Sequence, residues 1–439
     1  MKALEARPRG EALGVLQVCT YDLIGGAERV AWNLFQTYRR RGHPSWLAVG
    51  TKLGSDPDVI LLRTTAVSAA AAAKSLLVRG AKAVERSLGV EDFRFPGTWQ
   101  LLDLTDRRAD VVHCHNLHGG YFDLRALSWL SRQVPVIVTL HDAWLLSGHC
   151  AHSFDCERWT TGCGRCPDLT IDPAVRRDAT AYNWRRKQKI YSTSRLHIAT
   201  PSQWLMRKVE RSMLAPTMAE ARVIPNGVDL SVFHCADKDE ARAALDIPGE
   251  ALVVLFAANA LRQNIWKDYR TVQEGVALAV GRMRTRSIVL LALGQEGPVE
   301  RLGDATIRFI PYQTEPRAVA RYYQAADVYV HAARVDTFPN TVIEAQACGT
   351  PVVATAVGGI PEQVDEGRSG YLISLGDAPA LAERLTRLLS DAELRARMGA
   401  EAAQAARRRF DLNRQADAYL DWYQVLVERH RATQSSEGN

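Results

Sequence analysis

The chain has 439 residues, 47% of them hydrophobic and 24% charged, with a formal net charge of +6. This length predicts two or three domains with cores large enough to need no staples, and the composition is that of an ordinary globular protein. The charge is too small to indicate nucleic acid. It suits anionic substrates or loose contact with an acidic membrane surface, and no apolar run is long enough to cross a bilayer.

The opening MKALEARPRGEAL lacks the hydrophobic core of a secretory leader, so a cytoplasmic location is expected. Residues 15–19 (VLQVC) read as a buried strand, followed by a helix over about 27–41. The Ala-rich stretch 66–88 reads as a solvated surface helix. Its apolar face buries too little area to favour a membrane-surface role. Residues 111–114, 136–140 and 196–200 are further strands. After Asn226-Gly227 the alternation restarts, with strands at 252–257, 287–293, 307–310, 328–331 and 351–354. Strands alternating with helices predict parallel sheets covered on both faces. Two series divided by one turn predict two doubly wound domains, 1–225 and 226–410. Residues 385–430 read as helical, and the end ATQSSEGN as disordered. No internal repeat is visible.

Residues 334–364 carry the densest signal: an acid, Asp336, and a second acid, Glu344, eight positions on. Between them Phe338-Pro339-Asn340-Thr341 reads as a helix start, with Pro339 in the first turn. A strand follows, and then the turn Gly358-Gly359. A helix N-terminus is a seat for phosphate, and a carboxylate inside that helix can accept hydrogen bonds from a diol such as ribose. The pattern predicts a site for a phosphorylated sugar nucleotide. Arg262 and Lys267, in a loop after the strand 252–257, form a pair of cations able to grip a diphosphate. Gly25-Gly26 opens a helix after a strand, although the Gly-x-Gly-x-x-Gly fingerprint of a dinucleotide oxidoreductase is absent. His113, His115 and His118 lie in VVHCHNLHGG, and His141-Asp142 end another strand.

Cys150, Cys156, Cys163 and Cys166 fall within 17 residues and fit a small structural zinc knuckle, with His149 or His152 able to replace one ligand. Disulfides or redox-labile thiols, and unliganded thiols, are the alternatives. Asp56-Pro57-Asp58 and Asp237-Lys238-Asp239 end no buried strand and read as turns, not as metal-binding pairs.

The string 334–364 resembles the donor site of retaining glycosyltransferases of family 4, whose fold is called GT-B. In that family an acid pair precedes a Gly-Thr-Pro-Val-Val strand and a Gly-Gly turn. Here the first acid is Asp336, one methylene shorter than the family's Glu. The resemblance is strong over 195–375, weaker over 14–50 and 108–145, and absent over 51–107. It implies an α/β protein of two doubly wound Rossmann-like domains facing a central cleft. The cysteine-rich insert, about 148–168, would lie in the first domain, and a last helix (411–439) would pack back on that domain.

The resemblance also implies an activity: transfer of a hexose from a nucleoside-diphosphate sugar to a hydroxyl acceptor with retained configuration, no catalytic metal being needed. Glu344 would hold ribose, and Arg262 and Lys267 the diphosphate. Gly26 and backbone near Phe338, Pro339, Asn340 and Thr341 would serve phosphate. Asp336 would touch the hexose, and His141 would face the reacting sugar. The acceptor would be a saccharide or a lipid-linked molecule in polysaccharide or glycolipid assembly at the cytoplasmic face of the membrane. A GT-B sugar-nucleotide epimerase and a non-catalytic nucleotide-sugar-binding protein are the alternatives.

Overall fold

The computed structural model describes residues 12–62, 87–91, 93–283 and 287–437. The opening residues 1–11 and most of the Ala-rich stretch expected as a surface helix lie outside these. The chain divides into two compact units. One comprises residues 1–201, 205–224 and 416–439, the other 202–204 and 225–415.

The first unit holds β1 (Val15–Tyr21), β2 (Ser45–Thr51), β3 (Val59–Leu61), β4 (Val111–His115), β5 (Val136–Thr139), β6 (Leu196–Thr200) and β7 (Met218–Val223). They form one sheet in the order β3-β2-β1-β4-β5-β6-β7, parallel throughout. The central strands are buried on both faces because helices cover both sides, as parallel topology requires. The helix Gly26–Arg40 shows how this works: it buries Val30, Ala31, Leu34, Phe35 and Tyr38, spaced as one helical stripe.

The second unit holds β8 (Leu252–Ala257), β9 (Ile288–Leu293), β10 (Glu300–Leu302), β11 (Ala305–Ile310), β12 (Val328–His331), β13 (Val352–Thr355) and β14 (Gly370–Ile373). Their order is β10-β11-β9-β8-β12-β13-β14, and only β10 runs antiparallel to its neighbour. Alternate residues of β8 feed separate cores: Val253 and Leu255 enter one, Val254 and Phe256 the other. In each sheet the strand order reverses beside the first strand, between β1 and β4 and between β8 and β12. Ligands of open α/β sheets gather at the carboxyl ends of strands at such a reversal.

Three details differ from expectation. Residues 432–437 of the expected disordered tail are helical, as part of the helix Leu412–Glu437. No Gly or Pro interrupts residues 412–437, and Thr433 and Ser435 turn their hydroxyls back onto the carbonyls of Arg429 and Arg431. Asp237 is not a turn residue but the cap of the helix Lys238–Ala243, accepting from the Glu240 amide at 2.9 Å. Gly227 is more than a turn glycine, since a Cβ there would lie 2.5 Å from Leu412 Cα. The backbone of Val228 pairs with Phe410 and Leu412 at that point.

Candidate active site

In the second unit, backbone pairing draws together the loops that follow β8 and β12. Arg334 donates its amide to Trp266 at 2.9 Å, Asp268 donates to Ala332 at 3.1 Å, and Lys267 bridges Ala333 in antiparallel fashion. This pairing sets Lys267 against Asp336, with Nζ 2.6 Å from Oδ2. His331, wholly buried at the end of β12, completes the cluster. Its Nε2 is 3.2 Å from Lys267 Nζ and 3.3 Å from Asp336 Oδ2. Its Nδ1 faces Tyr329 Oη at 3.0 Å and Thr341 Oγ1 at 3.3 Å. Burial works to raise the Asp336 carboxyl, but the adjacent Lys267 and His331 outweigh it and hold the group well below the usual carboxylate range. Burial, and then Lys267, push His331 down to about 4, so its ring is neutral.

The glycine turn fixes where Asp336 stands. A Cβ on Gly358, whose φ is +60°, would lie 1.8 Å from the Asp336 carbonyl oxygen, and one on Gly359 would lie 2.0 Å from that of Thr337. Only glycine lets the two backbones approach so closely. The Gly359 amide then donates to the Asp336 carbonyl at 3.1 Å.

The helix expected after Phe338 is Asn340–Ala347, and Pro339 caps it from outside with φ −62° and ψ 122°, one position earlier than the first turn. Phe338 is buried and packs its ring on Phe410 at 5.6 Å. Asn340 Oδ1 accepts from Asn226 at 3.0 Å. Glu344, half-buried on this helix, accepts from the Tyr323 hydroxyl at 3.0 Å.

Arg262 is exposed. It contacts Glu300 at 2.5 Å and lies over the Phe309 ring at 4.7 Å. An open cavity of about 850 Å³ has Arg262, Asn264, Lys267, Arg270, Glu300 and Arg334 in its wall. The structure therefore brings Arg262 and Lys267 to one cavity and ties Lys267 to Asp336. Glu344 and the Phe338–Thr341 segment do not line that cavity.

In the first unit, Gly25 (φ +109°) precedes the helix Gly26–Arg40, and the Glu28 carboxylate curls back over it. A Cβ on Gly25 would lie 2.1 Å from Glu28 Oε2. A Cβ on Gly26 would meet nothing within 4 Å. Burial raises the Glu28 carboxyl to about 7, partly offset by a backbone hydrogen bond and by His118. His118 Nε2 pairs with Asp142 Oδ2 at 2.8 Å, and the Asp142 charge lifts that imidazole above its ordinary value against burial. His141, half-exposed after β5, sets Nε2 3.0 Å from His115 Nδ1. Burial pushes His141 down to about 4.

The four clustered cysteines are not gathered on one point. All eight cysteines of the chain are unbridged, and among the described residues no three His, Cys, Asp or Glu side chains are placed to share a metal ion. Cys163 accepts from the Gly148 amide at 3.3 Å, and Cys166 meets His149 at 3.3 Å. Burial raises the Cys150 thiol to about 11 and that of Cys163 to about 12. A buried cation sits just before this loop. Lys187 pairs with Glu91 at 3.0 Å, sits 3.6 Å from the centre of the Trp144 ring, and donates to the carbonyls of Trp144 and Ser147 at 3.0 and 3.1 Å. Its partners surround it, so its burial is compensated.

His331, Glu28 and Gln17 were not among the expected site residues. The signals were present, however: His331 ends a strand five residues before Asp336, and Gln17 interrupts an apolar run.

Two family models match the chain, "Glycosyltransferase Family 4" over residues 24–232 and "Glycosyl transferases group 1" over residues 296–405. A protein of Salinispora tropica named D-inositol 3-phosphate glycosyltransferase is 36% identical over 355 residues, 74% of this chain and 67% of that one. The chain spans about half the length of two other relatives with that name: 52% of the one from Saccharomonospora viridis and 50% of the one from Streptomyces bingchenggensis. Among solved structures, sucrose-phosphate synthase from Thermosynechococcus elongatus has a TM-score of 0.63 at 19% identity and covers 95% of this chain and 100% of its own. Anabaena HepE, in complex with UDP and glucose, has a TM-score of 0.61 at 17% identity and covers 94% and 100%. These structural neighbours show the fold, GT-B, with two Rossmann-like domains. The sequence matches show the kinship: the chain belongs to the family 4 glycosyltransferases, the glycosyl transferases group 1.

Proposed function

We propose that this protein transfers a hexose from a nucleoside-diphosphate sugar to a hydroxyl acceptor with retention of anomeric configuration. The observation that carries the reading is the convergence of Lys267 and Arg262 on one open cavity beside the reversal between β8 and β12. As the glycosyl bond breaks, the departing diphosphate gains negative charge, and fixed cations stabilise that charge more in the transition state than in the ground state. Asp336 holds Lys267 in place. Arg262 would exchange Glu300 for a phosphate oxygen, a bidentate partner better matched to guanidinium. Glu344 would receive the ribose hydroxyls, while Gly26 and the amides around Asn340 and Thr341 would face phosphate. His141, neutral, would face the reacting sugar.

HepE is solved with UDP and with UDP-glucose, which makes UDP-glucose the first donor to test. The relatives' name makes inositol 3-phosphate the first acceptor, followed by a lipid-linked saccharide. Among the described residues no helix is long and apolar enough to cross a membrane. The proposed setting is the cytoplasmic face of the membrane, in polysaccharide or glycolipid assembly. The test is release of nucleoside diphosphate from a panel of donors, with and without acceptor, and the anomeric configuration of the product read by NMR. Acceptor-dependent release with retention is expected. Conversion of the sugar without acceptor would mean an epimerase. Because Asp336 is tied up by Lys267, binding without release is the second reading, and a donor that binds but never yields diphosphate would establish it.

A further inference from the structure

The histidines of the first unit form a fixed stack. His113 bonds Thr139 at 2.7 Å and Tyr423 at 2.6 Å. The His115 ring lies between His113, at 4.0 Å between centroids, and His141, at 5.3 Å and an interplanar angle of 22°. Clamped in this way, His115 cannot turn over, and both of its nitrogens are assigned to partners. Nδ1 faces His141 Nε2 at 3.0 Å, and Nε2 faces Gln17 Oε1 at 3.0 Å. Gln17 and His115 are wholly buried. Gln17 sits beside His113 in the β1–β4 register. Only the position of the protons is left to choose.

We propose that Gln17 is a positioning residue that sets the tautomer of His141 through His115. The Gln17 oxygen can only accept, so His115 carries its proton on Nε2 and donates it there. His115 Nδ1 is then a lone pair and must accept from His141 Nε2–H. His141 is left with a bare Nδ1, a hydrogen-bond acceptor, on the opposite side of its ring. The chain holds only if each ring carries one proton. Burial keeps both below their ordinary value, with His115 lowered further by His113 and His141. The arrangement has a cost: Gln17 Nε2 is buried without a hydrogen-bond partner. In the transferase reading, on which the catalytic consequence alone depends, His141 accepts a hydrogen bond from a sugar hydroxyl and cannot donate one.

The test is a long-range proton–nitrogen correlation spectrum of the full chain labelled with ¹⁵N-histidine, on wild type, Gln17→Leu and Gln17→Met, with folding checked by circular dichroism. In wild type, His115 and His141 should both show the Nε2–H pattern. Each variant should give a mixture at His141, and with an active donor–acceptor pair kcat should fall about tenfold while donor KM holds. A wild-type His141 protonated on Nδ1, or an unchanged His141 pattern in a folded variant, would overturn the assignment. Should neither variant fold, the wild-type spectrum decides alone. The spectrum needs no substrate, so a failed transferase assay with the expected tautomers would count against the proposed function and not against Gln17.

Discussion

Both sheets reverse their strand order beside the first strand, yet the chemistry at the two reversals is opposite in kind. The second unit places charge there: an ammonium, a carboxylate kept ionised by it, and an exposed guanidinium. The first places neutral rings there, His113, His115 and His141, beside the His118–Asp142 pair and a carboxyl at Glu28 raised to about 7. A backbone plan that recurs does not dictate what it binds; the loops beyond the strand ends do. The charged end suits a diphosphate. The neutral end suits hydroxyls, which need directed donors and acceptors more than field.

Lys267→Ala attacks the charged end most directly and should lower turnover by about a thousandfold in a diphosphate-release assay. It should also destabilise the fold, because Asp336 loses its partner. The double change Lys267→Ala with Asp336→Ala should recover the melting temperature and leave turnover low. Recovery of turnover instead would assign Lys267 a purely structural role. Glu344→Ala comes next, with a rise of about a hundredfold in donor KM if the carboxylate holds ribose hydroxyls. A wild-type KM would remove it from the site.

Gly359→Ala tests the geometry beneath the charge. Its Cβ would fall 2.0 Å from the Thr337 carbonyl, and a loss of about 3 kcal/mol on urea unfolding is expected. An effect of similar size, but dependent on pH, belongs to the other end. The folded protein holds the Glu28 proton more tightly than the unfolded chain does. This contribution is therefore full below the unfolded value of 4.5 and is lost as pH rises through about 7, amounting to about 3 kcal/mol. Glu28→Gln should flatten the decline of stability between those limits. The histidines run the other way: His141 and His331, both near 4 when folded, add stability as pH rises from there toward 6.5, and Glu28→Gln leaves that rise untouched.

Much of the fold was legible because parallel strands buried on both faces leave unbroken apolar runs. Residues 196–200, 252–257 and 328–331 stood out for that reason and are strands at those bounds. β7 (MAEARV) did not, because it is half-exposed almost throughout. β3 and β10 are only three residues each, too short to show a period. At the site, individual residues could be nominated but not their partners. Lys267 and Asp336 are 69 positions apart and meet only because backbone pairing at Ala333 joins two loops. The spacing of the four cysteines reports ligand types without directions. Nothing in the string of cysteines shows that a lysine some twenty residues further on binds the backbone just before that loop.

The place of the last helix has a consequence for how the chain is made. Residues from Ala416 onward belong to the first unit, where Tyr419 and Tyr423 bond Thr139 and His113. The ribosome delivers those tyrosines after the whole of the second unit. The strands of the first sheet are therefore all made before the segment that supplies these two hydroxyls, and the sheet cannot acquire them until the second unit has been synthesised.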